Sequence, residues 1–107
     1  MSNYINQISG DAIGVDEIIP LELVFNSVPT TPDTNQVFSA KRFDMNNPDD
    51  TGTDISANTA VSTNTISLSD IWTGSDTRVA GYYRLQVILQ TAAGTIKEEM
   101  NLLVNVI

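Results

Sequence analysis

The side chains with the most chemical potential in this sequence are carboxylates. Asp44, Asn46, Asp49, Asp50 and Asp54 fall in one polar stretch, 44–58. Calcium takes about six to eight oxygen ligands from a tight turn, and the alternation of Asp44 with Asn46 matches the opening of a calcium loop. Pro48 then occupies the next ligand position, no glycine directly follows it, and no glutamate closes the loop. The stretch therefore reads as a metal-free solvated loop. Paired carboxylates could also serve as general acid and base, as in glycoside hydrolysis, but no spacing in the chain marks such a pair. There is no histidine and no cysteine. Their absence removes the usual general base, the thiolate nucleophile, the disulfide and the commonest transition-metal ligands. The expectation is a protein without catalysis, without a cofactor and without a bound metal.

Thirteen acidic residues against 5 basic ones give a formal charge of -8. That balance repels phosphate backbones, so nucleic acid is not an expected partner. It suits a soluble surface resistant to aggregation. No apolar run approaches the roughly 20 residues of a membrane span, and no charged segment followed by an apolar run opens the chain. The expected product is soluble, made in a cytoplasm, with no membrane partner. A length of 107 residues is that of a single domain, 1–107, with one core.

The elements that would position any site read as short strands separated by turns. Residues 1–9 form an N-terminal arm in which Tyr4, Ile5 and Ile8 are apolar and costly to leave in water. The arm is expected to pack on its own domain or on a neighbouring subunit, and its removal to leave a folded monomer that no longer assembles. Residues 10–16 read as a turn. Ile19, Leu21, Leu23 and Phe25 alternate along a strand, with Pro20 at its start. A Pro-marked loop at 26–36 precedes a strand at 37–43 that sets Phe38 and Ala40 on one face. A short strand is expected to start at Ile55, and 60–68 holds one strand or two. Residues 69–75 could close a single helical turn, with Ile71 and Trp72 plugging the core. The last strand, within 95–107, places Ile96, Met100, Leu102, Val104 and Val106 inward, and Glu98 is expected near the strand end, within reach of water.

The clearest stretch is DTRVAGYYRLQVIL, residues 76–89. Tyr83, Leu85, Val87 and Leu89 share one face of an extended strand. Asp76, Gly81 and Tyr83 match the tyrosine corner of immunoglobulin-like sandwiches, in which a tyrosine near the start of strand F bonds back across the bend. Tyr83 is assigned to the core and Tyr82 outward, where it is a contact residue. No segment is long and periodic enough to supply crossover helices. The predicted fold is all-β, an immunoglobulin-like antiparallel β-sandwich of about seven strands.

Thr65 to Leu68, the turn GSDTRVAGYYRLQV, the hairpin at 91–94 and the final strand together resemble the N-terminal domain of phage baseplate upper proteins and related immunoglobulin-like modules of tailed-phage virions. Gly10 and Asp11 take the place of the Gly-Asp turn that precedes the first long strand in that family. The resemblance implies a non-catalytic structural protein located in the virion and made in the host cytoplasm. It implies partners among other tail or baseplate proteins, and homo-oligomers within the particle. Docking would use the sandwich edges and the arm, with Tyr4, Ile5, Ile8 and Tyr82 as contacts. Two other readings are a capsid decoration protein of a phage head and a carbohydrate-binding immunoglobulin-like module.

Overall fold

A computed structural model describes residues 12–18, 20–26, 35–74, 76–92, 94 and 96–107, together with the backbone of 5–7. The strands, in chain order, are β1 (Ile5–Gln7), β2 (Leu21–Val24), β3 (Gln36–Asp44), β4 (Thr53–Asp54), β5 (Thr59–Ser62), β6 (Thr65–Leu68), β7 (Gly81–Gln90) and β8 (Lys97–Val106). One larger sheet has the order β1-β8-β7-β3-β4, and a smaller one the order β2-β6-β5. This is the immunoglobulin-like arrangement: β3, β7 and β8 stand as strands C, F and G, facing β2, β6 and β5 as B, E and D. Every pairing is antiparallel except that of β1, which runs parallel to β8.

Period-two patterning builds the core. Along β7 the side chains of Tyr83, Leu85, Val87 and Leu89 are buried, and along β8 so are those of Met100, Leu102, Val104 and Val106. Leu23, Phe25, Ile66 and Leu68 face them from the smaller sheet. Each such aliphatic residue contributes about 1.5–3 kcal/mol by leaving water. Glu98, register partner of Leu89, takes an inward place in β8 and is only 4% exposed, not within reach of water as its position suggests. Ile96 lies just before β8 and is exposed, because the pairing of β7 with β8 begins at Lys97.

Three further expectations are corrected. In β3 the register with β7 shifts between Val37 and Ser39, and this bulge reverses the side-chain parity, so Phe38 is exposed although Ala40 is buried. No strand starts at Ile55; it is fully buried between β4 and a 3-10 turn at Ser56–Asn58, and anchors the crossing between sheets. Residues 69–74 form bends and a turn, not a helical turn, because their carbonyls are tied from outside the segment. Asn58 Nδ2 donates to Asp70 O at 3.0 Å and to Trp72 O at 2.8 Å. Ile71 and Trp72 are nonetheless buried.

Within the N-terminal arm, Ile5–Gln7 lies along Asn101, Leu102 and Leu103 of the same chain. Ile13 then bridges to Val106 and bonds to Asn105 O and Ile107 N. For this part of the arm the place described is on its own domain, one of the two expected for it. Tyr4, Ile8 and the side chain of Ile5 lie outside the described residues.

Candidate functional site: the corner and the outer face of the larger sheet

The bend into β7 is held by a polar cluster at the margin of the core. Tyr83 Oη donates to Val79 O at 2.7 Å, closing the corner over four residues. Gly81 opens β7 at φ +155°, and a Cβ there would come within 2.9 Å of Asn46 Nδ2. Asp76 does not touch Tyr83 directly; it accepts from Arg42 Nη1 at 2.8 Å and from Thr73 N at 2.7 Å. Arg42, from the inner face of β3, also donates to Ile71 O at 2.7 Å. Its guanidinium lies 4.5 Å from the Trp72 ring centroid, and Trp72 meets Tyr83 edge-to-face at 5.3 Å. Burial works to raise the Asp76 carboxyl, but the Thr73 amide and the Arg42 guanidinium prevail and hold it below its ordinary 3.8. Burial pushes the Tyr83 phenol up, with Asp44 adding to the effect. A Tyr83→Phe variant keeps the packing and loses the bond to Val79. It is expected to lower the unfolding free energy by about 1–2 kcal/mol, read as a lower urea midpoint with m unchanged.

Turning outward at the same corner, alternation sends Tyr82 and Arg84 to the opposite face. The register sets Phe43 and Leu103 either side of Arg84, and Asn105 beside Tyr82. Met45 N donates to Tyr82 O at 2.9 Å, placing Met45 as the next neighbour. Phe43, Met45, Tyr82, Arg84 and Leu103 thus meet at the end of the sheet nearest the acidic loop. Met45 and Tyr82 are each 50% exposed. Arg84 lies 4.2 Å from the Phe43 ring centroid, which fixes a long side chain flat on the sheet. Arg84 Nη1 also donates to Asn101 Oδ1 at 2.8 Å, and Asn101 and Gln86 both donate to Glu99 Oε2. Those two donors lower the Glu99 carboxyl against its burial, with Arg84 adding to them. The centre of the face is therefore an ordered polar network with an aromatic and thioether patch at one end.

Three carboxylates of the acidic loop are spent on its own backbone. Asp50 accepts from the amides of Asp44 and Gly52, Asp44 from Asn46, and Asp54 from Ser56. The Asp44 and Gly52 amides lower the Asp50 carboxyl, and the Ser56 hydroxyl, followed by its amide, lowers that of Asp54. Among the described residues no three His, Cys, Asp or Glu side chains form a group able to hold a metal ion.

Of the residues singled out from the sequence, the structure brings Asp76, Gly81 and Tyr83 to one corner and Tyr82 to the outer face. Arg42 was missed, because an arginine in a strand with two mixed faces reads as solvent-facing. Arg84 shares the outward face of β7 with Tyr82, as the alternation requires, whereas Phe43, Met45 and Leu103 were missed as its neighbours because only the pairing of β3, β7 and β8 brings them there. Comparisons with protein-family models, curated proteins and solved structures yield no match.

Proposed function

We propose that this chain is a non-catalytic structural module of a tailed-phage virion that docks onto another tail or baseplate protein through the outer face and free edges of its sandwich. The patch of Phe43, Met45, Tyr82 and Leu103 around the stacked Arg84 carries the docking part of this reading. Aromatic residues, Met and Arg are the types enriched where proteins meet, and an Arg already held flat loses little freedom on binding. The virion part rests on the resemblance of residues 65–107 to the phage modules. A sugar-binding platform is less well supported, because two of the outward rings are covered and Tyr82 is left without a second open ring beside it among the described residues. Arg84 lies over Phe43, and Lys97 Nζ sits 3.7 Å from the Phe38 ring centroid.

Immunogold labelling of purified tailed-phage particles with antibody to this chain tests the location. Label on tails supports the reading, label on heads replaces it with capsid decoration, and particles free of label overturn it. For the face, Tyr82→Ala with Arg84→Glu is expected to reduce incorporation into particles at least about tenfold. Unchanged incorporation with an unchanged melting curve would remove the patch from the proposal.

A further inference from the structure

The smaller sheet ends at β5, and no strand among the described residues pairs with its outer edge. Natural sheets guard an open edge with lysine, proline or a bulge. β5 is Thr59-Ala60-Val61-Ser62 in unbroken register with β6, and has none of these guards. Residues 55–69 carry no charge at all, although the chain as a whole has 13 acidic residues.

The backbone at this edge has a definite polarity. Ser62 and Thr65 flank a two-residue turn that Thr63 enters at φ 56°. In such hairpins the flanking pair exchanges both backbone bonds, and the bonds recur at every second residue. Ser62 and Ala60 thus bond to β6, while the N–H and C=O of Val61 point off the open edge. The Val61 side chain is half-buried at the margin of the core, and Ala60 and Ser62 are small and exposed.

We infer that a second copy of this chain joins here, β5 to β5 and antiparallel, about a two-fold axis through Val61, making one continuous sheet of six strands. The inference deepens the reading of the chain as an assembling module and rests on it. Copies with a formal charge of -8 repel one another, and this edge is where they can meet without bringing charges together. The contact is also self-complementary: Val61 exchanges both bonds with its counterpart, and Ala60 lies opposite Ser62. Two four-residue strands bury well under the roughly 1,200 Å² of a stable complex. The contact therefore adds to others within an assembly, where copies are held close.

The chain has no cysteine, so single cysteines report directly. In the proposed register, positions 60 and 62 of the two copies form a non-bonded pair with Cα atoms about 4.5 Å apart, within disulfide reach. Positions 60 and 60 lie beyond about 7 Å. Mixing full-length Ala60→Cys with Ser62→Cys under mild oxidation is expected to give the mixed disulfide at least about tenfold over either homodimer. Sedimentation at about 1 mM should show reversible dimer, lost in Ala60→Lys, whose exposed site leaves the fold intact. Statistical cross-linking, or a wild-type chain that stays monomeric at that concentration, overturns the contact. Tail labelling with statistical cross-linking sinks the β5 contact alone; specific cross-linking by a chain absent from particles sinks the virion reading alone.

Discussion

Asp76→Ala is expected to lower the unfolding free energy by about 3–5 kcal/mol, the usual cost of breaking a buried ion pair from one side. Arg42 is 8% exposed, and a guanidinium cannot escape by losing its proton. Without Asp76 it keeps the Ile71 carbonyl and the Trp72 ring but loses its hydrogen-bonded carboxylate, and only the weaker attraction of Asp50 is left. The Thr73 amide loses its acceptor as well. Arg42→Met is expected to cost less, because the Asp76 side chain it leaves behind is 16% exposed and can take up water or a proton. The double variant should recover part of the Asp76→Ala loss, since it removes the stranded charge. Urea titrations of the three variants check this, and a loss below about 1 kcal/mol for Asp76→Ala would mean that the guanidinium rehydrates freely.

The same pair sets an acid limb. Its folded carboxyl is depressed, so its contribution is complete above the ordinary value of 3.8 and is lost as pH falls through the lower folded value. Wild-type stability should therefore fall below about pH 4, and that fall should be shallower in Asp76→Ala. Asp50, Asp54 and Glu99 shift in the same direction and keep part of the limb in the variant.

The parts of this architecture that could be read in advance are those where local pattern and tertiary role agree. β7 alternates without interruption and is entered through Ala80 and Gly81, so its buried face, its corner and the outward turn of Tyr82 follow from the residues alone. β3 shows the opposite case. Its bulge at Val37/Ser39 reverses parity midway, so a strict period of two sends Phe38 to the wrong side. Residues 69–74 have the capping types of a helix start, but Asp70 Oδ1 accepts from Trp72 N and Asn58 holds the carbonyls. A polar side chain that bonds nearby backbone offers an alternative to the helix, and here a distant residue completes it. The outer patch is a product of register between three strands, which no single segment encodes. Arg42 is the sharpest case, because average residue preferences put arginine outside. Only the meeting of Asp76, Ile71 and Trp72 makes its inward position tolerable.

Trp72→Ala is expected to be as damaging as Asp76→Ala, by about 3–5 kcal/mol, for a different reason. The indole is 3% exposed and fills the end of the core between the guanidinium of Arg42 and the edge of Tyr83. Its backbone is pinned by Asn58 and Asp70, so the segment cannot collapse fully into the space that truncation leaves. Trp72→Phe retains a ring for both neighbours and should lose about half as much. Both can be read by heat or urea unfolding followed by circular dichroism. If Trp72→Ala costs no more than Trp72→Phe, the end of the core closes without the indole, and the corner is not its dependant. The Asp76 and Trp72 substitutions act on one guanidinium and should not add: the double variant should lose less than the sum, because the space left by the indole lets water reach the charge that Asp76→Ala strands. A domain of this size is stable by about 5–15 kcal/mol, so either change alone removes a large share. The consequence reaches the proposed docking face through β7 itself. Tyr83 packs on Trp72 while Tyr82, its neighbour, stands in the outer patch, so loosening the corner should blur the placement of Tyr82 and Met45 and, if that patch docks as proposed, weaken incorporation even where the domain remains folded.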